Sequence, residues 1–145
     1  MVGNWFLRFG ALFGLGAIGL GIYMGYQHDL KLSPVQIQVA MIGWISLFLA
    51  GLFYSSIASA SEYVETIGSL IPKSAGLHFF IALIGAIALV AGSVGVTLDL
   101  TYTGQIGSQA FDHFAWGDKV MFGGEILTGV AQLLFMLNVL RGTTK

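Results

Sequence analysis

Few side chains in this 145-residue chain are equipped for chemistry, and the most conspicuous is Glu125. It lies about two turns inside an otherwise apolar run, where a carboxylate must be neutral or paired to be tolerated. As a functional group it would relay protons, hold a cation or touch a quinone head group. As a structural group it would be protonated and hydrogen-bonded to Gln36, Tyr23 or Thr128. No second acid, arginine or histidine sits at comparable depth to complete a proton wire. His78 opens another apolar run. One imidazole does not define a haem or metal site, since a ligand histidine needs a co-ligand and a partner for its other nitrogen. The structural alternative is a histidine satisfied by a hydrogen bond near the membrane surface. Asp112, His113 and Asp118 form a weak surface metal candidate that matches no established spacing. The absence of cysteine removes disulfides, thiolate metal sites, Fe–S clusters and cysteine nucleophiles. No serine-hydrolase elbow, phosphate loop or metalloprotease motif is present, so no enzyme activity is expected.

The elements that position these groups follow from composition. Hydrophobic residues make up 56% of the chain, charged residues 9%, and mean hydropathy is +0.84. A soluble domain carries about 25% charged residues, so this chain lacks the polar surface to cover itself in water. The net charge of -1 leaves no electrostatic footprint for nucleic acid. Four apolar stretches, about Trp5 to Met24, Pro34 to Ala58, Ala75 to Leu98 and Lys119 to Leu140, are each long enough to span a bilayer. Backbone polar groups in lipid must bond within their own segment, which makes these helices. The expected fold is all-α: a four-helix transmembrane bundle forming one integral membrane domain. Pro34 fits the start of the second helix with Ser33 as its N-cap, and Pro72 falls in the connection before the third. The Arg8 region precedes no small-residue cleavage pattern, so the first helix is read as retained.

Arg8, Lys73, Arg141 and Lys145 share one side, against Lys31 and Lys119 on the other. That bias predicts both termini in the cytoplasm of a bacterial inner membrane. The connection Ser59 to Ser74 suits an interfacial turn around Tyr63 to Leu70. The longer one, Thr101 to Gly117, suits an outer cap. Trp5, Tyr23, Tyr26, Tyr54 and Trp116 fit an aromatic belt.

At about 100° per residue, Gly10, Gly14, Ala17, Gly21 and Gly25 line one face of the first helix. Such a stripe lets backbones approach closely in lipid, either inside the bundle or at a seam with another chain. His78, Gly85, Gly92 and Asp99 repeat every seven residues on the third helix, and Asp118, Glu125 and Gln132 do so on the fourth, joined by Thr128 and Gly129. On the second helix Gln36, Ala40, Gly43, Leu47 and Tyr54 fall together. These faces are expected in the bundle interior. Gln38 points instead toward the oily face of Ile42, Ile45, Leu49 and Leu52, where it wants a lipid head group, a ligand or another subunit.

The second helix reads Pro34-Val35-Gln36-Ile37-Gln38-Val39-Ala40-Met41-Ile42-Gly43-Trp44, then Leu47, Gly51, Leu52, Phe53 and Tyr54, and the third opens Leu77-His78-Phe79-Phe80. With Trp5-Phe6-Leu7-Arg8 and Met24-Gly25, this resembles small bacterial membrane proteins related to the haem–copper oxidase catalytic subunit. Their second helix carries P-x-H-x-H-x-N-x-x-G-W and their third opens L-H-F-W. The H-x-N portion is similar to the nitric-oxide-reductase-like helix that supplies a low-spin haem ligand. Gln36 and Gln38 replace both histidines here and Ala40 replaces the asparagine. Glutamine is a poor haem-iron ligand, so the resemblance implies a scaffold that has lost its ligands and argues against oxidase activity.

The resulting expectation is a non-catalytic accessory subunit of a larger respiratory or photosynthetic electron-transport complex. No cofactor is expected to be bound by this chain alone; haem, quinone or pigment would lie at a subunit interface. Two alternatives remain: an electron-transfer protein holding haem or quinone through His78, Glu125, Gln36 or Gln38, and a homo-oligomeric proton-coupled carrier using Glu125.

Overall fold

The computed structural model describes residues 2–60, 71–98, 105–106, 109–110 and 116–143. Four helices in them are long and apolar enough to cross a membrane. The first is α1, Val2–Gln27. The second is built of α2, Ser33–Gln38, a π-helical segment, Val39–Ser46, and α3, Leu47–Ala60. The third is α4, Ile71–Thr97, and the fourth α5, Trp116–Thr143. Between the last two, β1 (Gln105–Ile106) and β2 (Gln109–Ala110) pair antiparallel, with Gln105 opposite Ala110.

The turn after α1 is a Schellman closure. Asp29 N–H donates to Met24 C=O at 3.3 Å and His28 N–H to Gly25 C=O at 3.4 Å, the paired 6→1 and 5→2 bonds of that motif. His28 holds the left-handed position, φ 52°, where glycine is the usual occupant. Asp29 Oδ1 then accepts from Lys31 N–H at 3.0 Å. The N-cap of α2 is Leu32, not Ser33, and no side chain caps it. The turn bond from Ser33 N–H to Leu30 C=O runs directly into Gln36 N–H to Leu32 C=O, both 2.9 Å, so Ser33 is already helical. Pro72 lies inside the first turn of α4 rather than before it. Its missing N–H is harmless there, because first-turn donors have no intrahelical partner.

Packing pairs the helices as two hairpins. A Cβ added to Gly10 would sit 3.0 Å from Phe48 N, and one on Gly14 3.0 Å from the Trp44 ring. The second helix reciprocates, since a Cβ on Gly43 would run into Phe13 and one on Gly51 would lie 2.8 Å from Leu7. Gly21 is overlain by the Gln36 amide, and Gly25 faces open space. The glycine stripe of α1 is thus largely occupied within the chain.

In the second hairpin, Gly92 abuts the Met121 backbone and Gly85 lies under Thr128. Gly124 and Gly117 return the approach to Leu89 and Val96. Glycine at these positions lets two backbones touch, which supplies packing where lipid supplies no hydrophobic drive. Phe6, Leu47, Ala50, Tyr54, Phe79, Ala82 and Ala131 form the core where the two hairpins meet.

One expected interior face is displaced. Asp118, Glu125, Gln132 and Gly129 are exposed. The buried stripe of α5 lies one residue earlier and also repeats every seven: Gly117, Gly124, Ala131 and Asn138. Small residues decide the seam, and about 100° of rotation then carries the acidic stripe outward.

Candidate functional site

Polar chemistry in the interior converges at the end of the bundle where α1 begins and α5 finishes. Tyr54 of α3, His78 of α4 and Asn138 of α5 reach one another there, with relative exposures of 5%, 3% and 1%. Asn138 Nδ2 donates to Tyr54 Oη at 2.7 Å, and Tyr54 Oη lies 2.9 Å from His78 Nδ1. The direction of this relay turns on the imidazole tautomer. An amide nitrogen only donates, so the tyrosine oxygen accepts from Asn138, and with His78 in the Nε2–H tautomer its own proton goes to Nδ1. A neutral imidazole that accepts at Nδ1 carries its hydrogen on Nε2.

Rings hold the relay in place. Phe6 stacks on Tyr54 at 5.4 Å and lies 4.9 Å from the His78 ring, while Phe135 approaches His78 at 5.5 Å. His78 thus has its Nδ1 engaged inside the bundle. Tyr54 belongs to this interior relay and not to the aromatic belt, because its hydroxyl finds its partners inside the bundle. Asn138 was not legible as a site residue by type. Its seven-residue offset from Ala131, Gly124 and Gly117 was the available signal.

His78 also borders a cleft of about 100 Å³ between the second, third and fourth helices. Ala50, Ala82 and Ala131 form its small-residue walls, and Ser46, Thr128 and Gln132 bring polar groups to it. Thr128 is 9% exposed, and its Oγ1 is buried with no hydrogen-bond partner. Ser46 closes the π-helical segment, and its Oγ donates to Met41 C=O, five residues back, at 3.0 Å. A π-helical stretch widens the backbone turn and recurs at functional sites. Here it delivers Ile42, Ser46 and Leu47 to the cleft wall.

The remaining candidates are placed elsewhere. Gln36 Nε2 donates to Ala17 C=O at 3.1 Å, tying the second helix to the first. Gln38 is half-buried at the last position before the π-helical segment, whose Ile45 and, beyond it, Leu49 and Leu52 are exposed. Glu125 has no hydrogen bond or ion pair among the described residues. It does not meet Gln36, which is committed to Ala17, nor Tyr23, which is exposed, nor Thr128 Oγ1, which is unpartnered. Asp118 is exposed too, whereas Asp99, Asp112 and His113 lie outside the described residues, as do the connection turn Tyr63 to Leu70 and most of Thr101 to Gly117. Among the described residues no group of three His, Cys, Asp or Glu side chains gathers to hold a metal.

A haem does not fit this arrangement. His78 Nδ1 is engaged by Tyr54, its ring is enclosed by Phe6 and Phe135, and a 100 Å³ cleft is far smaller than the macrocycle. In comparisons with protein-family models, curated proteins and solved structures, the chain matches none.

Proposed function

We propose that this protein is a non-catalytic accessory subunit that packs, through the outward face of α5, against a larger electron-transport complex of respiratory or photosynthetic type in a bacterial inner membrane. One observation carries the reading: Asp118, Glu125 and Gln132 form an exposed polar stripe on a helix apolar enough to span a bilayer. A carboxylate facing lipid inside a span costs on the order of a few kcal/mol. A neighbouring chain that offers a donor to Glu125 removes that cost. The fourth span has only 17% of its apolar window buried by the rest of the chain, against 44% for the third, so the surface for such a neighbour is there. The oxidase-like pattern of the second and third helices, with its ligand positions filled by Gln36 and Gln38, supports an energy-transducing complex as the neighbour. The excess of Arg8, Lys73, Arg141 and Lys145 over Lys31 and Lys119 supports cytoplasmic termini.

The test is extraction in a mild detergent through a tag after Lys145, with the native mass read directly. The reading predicts a particle much larger than the 15.4 kDa chain, containing other membrane subunits. It also predicts that Glu125→Leu releases the chain from that particle while leaving its helix content intact. A clean species containing only a few copies of this chain would refute it.

A further inference from the structure

Independently of any partner on α5, the geometry points to the cleft between the second, third and fourth helices as a binding site for the carbonyl end of an uncharged, lipid-soluble molecule. The hydrogen-bonding sense of the cleft is set by the relay behind it. With Tyr54 donating to His78 Nδ1, the neutral ring carries its hydrogen on Nε2, a donor. Thr128, nine-tenths buried in the same wall, has an Oγ1 with no hydrogen-bond partner.

An orphan hydroxyl in an apolar interior is a standing cost, which a bound hydrogen-bonding group offsets. Two donors in one cleft call for an acceptor with two lone pairs, which a carbonyl oxygen supplies. A charged ligand is disfavoured, since no charged side chain lines the cleft and its other walls are Ile42, Leu49 and alanines. Gln132 and Leu49 line the cleft yet are exposed, and both lie well inside their spans, which places the rim along the side of the bundle. Entry is therefore sideways, from the lipid. The volume, about 100 Å³, is below the 150 Å³ or so of an engineered cavity that takes benzene. It seats a carbonyl and the edge of its ring or ester, with the apolar tail left in lipid. A quinone-type ring and an acyl ester share this chemistry.

The experiment uses the full chain in detergent micelles, ¹⁵N-labelled at histidine, titrated separately with decyl-benzoquinone and with a monoacylglycerol. Saturable movement of the His78 Nε2–H resonance by either probe is expected. Response to the quinone alone assigns a ring carbonyl, and response to the glyceride alone assigns an ester. Thr128→Val should weaken the responding probe by roughly 3- to 10-fold, the loss of one neutral hydrogen bond. Gln132→Leu, at an exposed position that cannot disturb packing, should weaken it by less. The inference is overturned if neither probe moves the His78 signal, or if both variants bind as tightly as the parent chain.

Discussion

Replacing Tyr54 by phenylalanine removes a single oxygen and isolates the energetics of the interior relay. The ring contacts survive, because Phe6 stacking at 5.4 Å and the edge contact with Phe53 at 5.4 Å need no hydroxyl. What is lost is the only atom shared by two bonds, so His78 Nδ1 and Asn138 Nδ2 are both orphaned where exposures are 3% and 1%. In a water-soluble protein each orphan would cost about 1–3 kcal/mol. In membranes the measured value per bond averages about 0.6 kcal/mol and reaches about 1.7, because the unfolded chain also finds partners there. The lower scale applies to a chain of this composition, and two bonds give about 1–3 kcal/mol for Tyr54→Phe. Asn138→Leu removes one bond and leaves Tyr54 still bonded to His78, so its cost should be about half as large, roughly 0.6–1.7 kcal/mol. Reversible unfolding in mixed micelles, titrated with a denaturing detergent and followed by circular dichroism, measures both. The reasoning fails if Asn138→Leu destabilises as much as Tyr54→Phe, because the tyrosine oxygen would then not be the hub.

Four further outcomes are expected. The ¹⁵N shifts of His78 at neutral pH should be those of the Nε2–H tautomer, and an Nδ1–H pattern would reverse the direction assigned to the relay. Gly92→Ala should destabilise by about 1–3 kcal/mol, since its methyl meets the Met121 backbone, whereas Gly123→Ala, facing open space, should be neutral or mildly stabilising; equal effects would refute the seam. Thr128→Val should leave stability unchanged or raise it by up to about 1 kcal/mol in micelles, because a hydroxyl without a partner is replaced by a methyl; a clear loss would mean the hydroxyl is bonded. His28→Gly should stabilise by roughly 1 kcal/mol by relieving the left-handed backbone at φ 52°, and a drop in thermal midpoint would show that the imidazole contributes something the turn needs.

The sequence by itself determined the elements. Hydrocarbon thickness and backbone hydrogen bonding leave four apolar stretches no other form than helices, so α1, the second helix, α4 and α5 were readable from run length alone. Helix ends were less legible, as Ser33 and Pro72 illustrate. Either side chain suits a cap or a first turn, and the choice fell to the turn bonds around Leu30 and Leu32 and to how far α4 extends. His78, Gly85 and Gly92 were readable as an inward face because glycine on a seven-residue repeat has few uses other than close packing.

Tertiary structure decided which face of α5 turns inward. Two seven-residue stripes lie side by side on that helix, one from Gly117 to Asn138 and one from Asp118 to Gln132, and local spacing cannot rank them. The contest is settled by shape: Gly124 and Ala131 let α5 close on Leu89 and Ala82, which the acidic stripe is too bulky to do. That one rotation sends Glu125 outward and carries Asn138 in to Tyr54, 84 residues away along the chain, whose hydroxyl also meets His78, 24 residues on. Hydrogen bonds between residues so far apart have no local signature, because what brings them together is the packing of three helices and not the periodicity of any one.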